Sequence, residues 1–264
     1  MPDKLTAEAV RQIAGLPVVR SSEQEVHTNI LLYGDSGVGK TVLACSAAVV
    51  PEMSPVLLID MEGGALSVRE RYPDVDIVRV KTMQQMQDVY DALRSGHTGY
   101  RTFILDSLTE VQKFSMNQIM IKVKEEDPER DIEVPSMREY LKNLEQVRML
   151  VRAFRDLPVH AIFTALEDWD KDEQSKKHNF MPLLTGKSQK EVPGFFDIVA
   201  RMWVIDDPDR EGEQLRLLQT VSTTKVRAKD RTGKLPAILG EVEPPTMELI
   251  YKLALDSPEP HTGE

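Results

Sequence analysis

Ile30-Leu31-Leu32-Tyr33-Gly34-Asp35-Ser36-Gly37-Val38-Gly39-Lys40-Thr41-Val42-Leu43-Ala44-Cys45-Ser46-Ala47-Ala48 is the stretch that decides the fold. Residues 34–41 fit G-x-x-x-x-G-K-[ST] without a mismatch. The apolar run before them reads as a buried strand. The small residues after them read as a helix able to pack close to a sheet. Strand, glycine-rich turn and helix, in that order, form a phosphate cradle. The glycines let the backbone curl, so that successive N–H groups point inward at a polyphosphate. The helix start adds partial positive charge. Gly34, Asp35, Ser36, Gly37, Val38, Gly39, Lys40 and Thr41 are therefore candidate nucleotide-binding residues. Lys40 is expected at the β- and γ-phosphates, and the Thr41 hydroxyl on Mg²⁺. The alternative is a glycine turn that only links strand to helix.

The chain around this stretch has 264 residues, 41% apolar and 29% charged, which suits an ordinary globular protein with a substantial core. The formal charge of −10 argues against a surface coated for nucleic acid, but not against a local basic groove. Cys45 is the single cysteine, so no internal disulfide forms. Its place in a small-residue helix favours packing over chemistry. Met1-Pro2-Asp3-Lys4-Leu5 opens no apolar signal region, and no uncharged apolar stretch is long enough to span a bilayer. A cytoplasmic location is expected.

Residues 1–28 read as a lead-in, with Leu5, Val10, Ile13 and Leu16 at near-helical spacing and a polar connector over residues 21–25. Further strands are expected at residues 55–60, 77–80, 102–107 and 159–164, and helices at 83–93, 108–124 and 136–154. Residues 167–192 form a polar segment without clear periodicity. Strands at 198–205 and 215–222 flank a hairpin loop at 206–212. A basic stretch over 223–235 and a helix starting at Pro244-Pro245 follow, and residues 256–264 read as a disordered tail. The candidate site residues spread from Gly34 to Arg227, which favours one domain over residues 29–255.

Two expected strands separate the phosphate loop from Leu105-Asp106, where an Asp ends an apolar strand at the Walker B position. That order allows an extra strand between the two, as in motor-type and recombinase-type ATPases. Small-molecule kinases usually keep them adjacent and carry an Arg-rich lid. Asp106 is expected to hold Mg²⁺ through water. The next residue is Ser107, not the Glu that many motor ATPases carry there. Glu62, just past the second strand and followed by Gly63-Gly64, is the candidate base for an attacking water. A solvated loop acid is the plain alternative.

Leu58-Ile59-Asp60-Met61-Glu62-Gly63-Gly64-Ala65-Leu66 resembles the strand and catalytic glutamate of RecA-type recombinases, and Leu105-Asp106-Ser107 resembles their Walker B. More narrowly, the chain is similar to phage-encoded, RecA-core ATPases that act as single-strand annealing proteins. Met181-Pro182-Leu183-Leu184-Thr185-Gly186-Lys187, Val192-Pro193-Gly194-Phe195-Phe196-Asp197 and Thr224-Lys225-Val226-Arg227 carry that likeness, which covers residues 29–239. It implies an α/β fold: a RecA-like core with a mainly parallel sheet flanked by helices and antiparallel strands near the C-terminus. Where RecA commonly has Gln after the fifth strand, this chain has Thr164, expected as a γ-phosphate sensor, with Glu167 nearby. No N-terminal oligomerisation domain or large C-terminal DNA-binding domain is visible, a departure from the family pattern that leaves classical strand exchange open.

Gln174 to Lys190 holds Lys176, Lys177, Lys187 and Lys190 without an acid, together with His178 and Phe180. Cations interleaved with a ring suit single-stranded DNA, charge along the phosphates and a ring against a base. The place matches the DNA-binding loop of RecA-like proteins. Acids at 168, 170, 172 and 173 favour a solvated loop instead. Lys225 and Arg227 would point to one side of an extended segment. RecA-like assemblies set such a pair against the ATP of the next subunit; an exposed basic edge is the alternative.

The resulting expectation is an ATP- and Mg²⁺-dependent, DNA-stimulated ATPase. It would be a homo-oligomeric ring or filament, binding single-stranded DNA in annealing or recombination, with a single-strand binding protein as a further partner and no membrane. If phage-encoded, it would work in the host cytoplasm. A nucleotide kinase and a nucleotide-switched loader or scaffold with little turnover are the competing readings.

Overall fold

The computed structural model describes residues 12, 13, 16–18, 20, 27–171 and 178–256. The expected tail beyond residue 256, most of the lead-in, and Lys176 and Lys177 lie outside them. At the start, β1 (Gln12–Ile13) and β2 (Leu16–Pro17) pair antiparallel. The helical spacing of Ile13 and Leu16 therefore does not carry a helix here. Gly15 and Pro17 both disfavour one.

The core begins with β3 (Asn29–Gly34) and α1 (Lys40–Cys45), which tightens into a 3-10 turn over Ser46–Val49. Then come β4 (Val56–Asp60), β5 (Asp76–Arg79), α2 (Met83–Arg94), β6 (Thr102–Asp106), α3 (Leu108–Glu126) and α4 (Met137–Arg155). After these come β7 (His160–Lys171), β8 (His178–Pro182), α5 (Ser188–Glu191), β9 (Ile198–Asp206) and β10 (Gln214–Gln219). The chain then runs through β11 (Lys229–Asp230), β12 (Ile238–Leu239) and α6 (Met247–Ala254).

The main sheet has the order β12-β10-β9-β3-β7-β6-β4-β5. From β9 to β5 every neighbouring pair is parallel. β10, β11 and β12 add antiparallel strands near the C-terminus, and β8 folds back on β7. β7 lies between the phosphate-loop strand β3 and the Asp106 strand β6, as the strand count anticipates.

Helices cover both faces, so the central strands are apolar on both sides. Along β3, Ile30 and Leu32 face a core with Leu43 of α1 and Ile250 of α6, while Leu31 and Tyr33 face one with Val111 of α3 and Val151 of α4. Side chains alternate across a strand, so one run feeds two cores. Helix starts are set by side-chain caps: Ser107 on α3, and a reciprocal Ser136–Glu139 box on α4. No helix among the described residues is long and apolar enough to cross a membrane.

The polar segment at 167–192 is not featureless. β7 runs on to Lys171, and β8 pairs with it from Glu167↔Pro182 to Lys171↔His178. α5 and a 3-10 turn over Val192–Phe195 follow. Past Ala165 the strand leaves the doubly covered part of the sheet, so its residues are no longer apolar on both faces, and the periodicity that marks a buried strand fades.

Candidate active site

The phosphate loop turns tightly because its glycines must. A Cβ on Gly34 would collide with the Met202 carbonyl on β9, while Gly37 and Gly39 adopt φ of 77° and 108°. Lys40 is buried, and its Nζ donates to the Gly34 carbonyl at 3.0 Å and the Asp35 carbonyl at 2.7 Å. Burial lowers its pKa, and the carboxylates of Asp106 and Glu62 act against that shift. The loop borders a cleft of about 680 Å³, also lined by Glu62, Tyr72, Asp106, Arg216 and Pro245.

Asp106, at the end of β6, is 3% exposed. Its Oδ2 accepts from Thr41 Oγ1 at 2.8 Å, and its Oδ1 accepts from the Thr164 hydroxyl. Burial raises the Asp106 pKa, with the two hydroxyls and Lys40 pulling it down and Asp60 adding to the rise. Asp60 stands in register with Asp106 on the neighbouring strand and caps the Glu62 turn by accepting from the Gly63 N–H at 2.6 Å. Thr164 is fully buried and bears on the cleft through Asp106. Thr41 and Asp106 put two hard oxygen donors side by side. That suits Mg²⁺, which takes one or two protein oxygens and completes its shell with phosphate and water. The curled loop, with Lys40 at its centre, fits a polyphosphate.

Glu62 sits beyond β4, and the Ser107 hydroxyl donates to its carboxylate. The same hydroxyl caps α3 by accepting from the Glu110 N–H at 3.4 Å. Glu110 itself pairs with Lys113 at 2.6 Å and does not line the cleft. Cys45 is fully buried and its thiol is pushed up to about 12, mainly by burial, so it packs rather than reacts.

The other candidates lie on the opposite face of the sheet. Lys225 and Arg227 are exposed, while Val226 and Ala228 between and after them are buried, so the two cations share one side of an extended segment. Neither lines the cleft of its own chain. Phe180 is not a ring on a loop. It belongs to β8, its backbone bonds to Lys225 and Arg227, and Arg201 stacks on its ring at 3.7 Å. Gln174 to Lys190 is accordingly no single loop: Lys187 caps α5 and Lys190 lies within it, both exposed. What occupies Phe180 is a network missing from the sequence reading. Arg201 forks onto Glu167 through Nε at 2.8 Å and Nη2 at 3.2 Å. The Tyr33 hydroxyl, at the end of β3, reaches the carbonyls of Arg227 at 2.7 Å and Phe180 at 3.2 Å. A lone charge inside the apolar run Ile198 to Val204 was the available signal for Arg201.

A mostly parallel sheet, a phosphate loop on its central strand and a buried carboxylate two strands away define a P-loop nucleotide-binding protein of the ATPase type. A sequence profile described as AAA domain matches residues 27–232, and the chain belongs to that family. No curated protein matches it. Among solved structures it is similar to the ATPase EscN from the enteropathogenic E. coli type III secretion system, at 15% identity and TM-score 0.43 over 67% of this chain and 43% of that one. A prototypical type III secretion ATPase of pathogenic bacteria gives 14%, 0.42, 67% and 52%. The Legionella pneumophila ATPase DotB gives 12%, 0.31, 74% and 46%. The chain thus spans about half the length of these proteins or less, and the likeness does not bear on its activity.

Proposed function

We propose that residues 29–255 form one Mg²⁺-dependent ATPase domain that works as a homo-oligomer on single-stranded DNA, in annealing or recombination. The observation that carries the hydrolytic part is Glu62: its carboxylate lines the same cleft as Lys40, Thr41 and Asp106. Bound MgATP would supply an electrophilic γ-phosphate and a cation drawing charge from it. Lys40 exchanges its two carbonyl partners for phosphate oxygens. Thr41 and Asp106 hold the cation, and Thr164 fixes Asp106. Glu62, oriented by Ser107, takes the proton of the attacking water. Lys225 and Arg227, exposed and outside their own cleft, would serve a neighbour's. The DNA part rests on the likeness to annealing ATPases and on the exposed Lys187 and Lys190 together with Lys176 and Lys177.

Phosphate release, measured with and without single-stranded DNA beside oligomer size, tests this. Glu62→Gln should bind ATP normally and hydrolyse it at least ~10²-fold more slowly, the range for a general base. Normal turnover there, with collapse in Glu110→Gln, would assign the base to Glu110. Nucleotide-dependent DNA binding with no turnover in the wild type would leave a switched loader.

A further inference from the structure

Arg216 stands on β10, in the antiparallel part of the sheet, yet its side chain lies over the phosphate loop. A Cβ placed on Gly39 would meet Arg216 Nε at 3.4 Å and Cδ at 3.5 Å. The residue is exposed and lines the nucleotide cleft, and its side chain has no ion pair or hydrogen bond among the described residues. Other arginines are tied up: Arg148, Arg201 and Arg231, for example, each hold a carboxylate.

The sheet order gives this position its meaning. The loop after β3 has Asp106 on β6 and Glu62 beyond β4 on one flank, and β9 and β10 on the other. The carboxylate flank suits a metal and a water. It also sets two negative charges in a cleft meant for a polyanion, against Lys40 and the exposed Arg71 that also lines it. A guanidinium on the opposite flank tips that balance towards the polyanion. Its planar fork matches phosphate oxygens two at a time.

We propose that Arg216 is a phosphate-binding residue of its own subunit's nucleotide site, closing on the phosphate chain from the flank opposite Asp106 and Glu62. The proposal rests on the reading of residues 34–41 as a nucleotide site. Binding of fluorescent ATP and ADP analogues is measured for the wild type, Arg216→Ala and Arg216→Lys, each with its urea midpoint. Arg216→Ala should lose about tenfold to a hundredfold in affinity for both, the range for a charge-assisted hydrogen bond. The loss should shrink as salt rises. Arg216→Lys, which keeps the charge but not the fork, should fall between. The urea midpoints should not move, since the side chain is exposed and unpartnered. Wild-type affinity in Arg216→Ala, or a loss matched by a lower urea midpoint, would overturn the assignment while leaving the nucleotide site standing. A wild type that binds neither analogue overturns the nucleotide reading itself, and Arg216 with it.

Discussion

Exchanging Arg201 for methionine keeps most of the side-chain volume and removes the charge. The Glu167 carboxylate, whose side chain is 11% exposed, then loses both guanidinium donors. Stranding one member of a buried pair costs about 3–5 kcal/mol. The slight exposure of each partner puts this case near the lower end. Loss of the guanidinium stack on Phe180 at 3.7 Å adds about 0.5–1 kcal/mol. Arg201→Met should therefore destabilise by about 3–4 kcal/mol, read as a fall in urea midpoint at constant slope. Replacing both partners, Arg201→Met with Glu167→Leu, leaves no stranded charge. It should cost less than the single change, because apolar packing substitutes for an ion pair at little cost. If Arg201→Met costs under about 1 kcal/mol, or the double variant equals the sum of its singles, the pair does not anchor the β7–β8 hairpin.

Asp106→Asn should raise the stability of the nucleotide-free protein near neutral pH. Burial raises the folded pKa of Asp106, so its favourable contribution is full below the ordinary carboxylate range and is lost as pH rises through the raised value. The melting-temperature gain should vanish towards pH ~4, near the ordinary Asp value, and Mg²⁺-dependent stabilisation by nucleotide should disappear; a less stable variant at neutral pH contradicts the sign. Arg227→Ala should bind ATP and hydrolyse it poorly. Mixed with Glu62→Gln in verified co-assemblies it should regain some activity, and dead mixtures would place Arg227 within its own subunit's chemistry or outside chemistry. Lys176→Glu with Lys177→Glu should weaken single-stranded DNA binding and flatten its salt dependence, leaving DNA-free hydrolysis intact, and unchanged DNA affinity would return that segment to solvent.

Residues 34–41 were legible because a local pattern there fixes a local shape. The strand ending at Asp106 was legible because a doubly buried parallel strand is apolar throughout, and the strand count allowed for the inserted strand that separates it from β3. The Phe180 environment was not. Its ring faces a cation 21 positions away, on a strand it meets only through the tertiary fold. Basic and aromatic residues close in sequence looked like one surface, yet Phe180 turned to Arg201 while Lys187 and Lys190 went to α5. Arg216 carried no signal at all. An arginine alternating with leucines along β10 reads as solvent-facing, and only the curl of the chain brings Gly39 beneath it. The first residues misled for a related reason: apolar spacing suggested a helix where Gly15 and Pro17 weigh against one.

Strand β3 is flanked by β7 and β9, and its partner on β9 is far along the chain: Ile30 pairs with Ile198, 168 positions later. At ribosomal speeds of about 5–20 residues per second, Ile30 waits roughly ten to thirty seconds for that neighbour. Throughout, the edge of β3 that will meet β9 remains available to wrong partners. One wall of the loop is the Met202 carbonyl against Gly34. That wall is missing until residue 202 has left the exit tunnel. A nascent chain stalled between β7 and β9 would hold every residue from Gly34 to Thr41 and still present an open, adhesive strand in place of a nucleotide site.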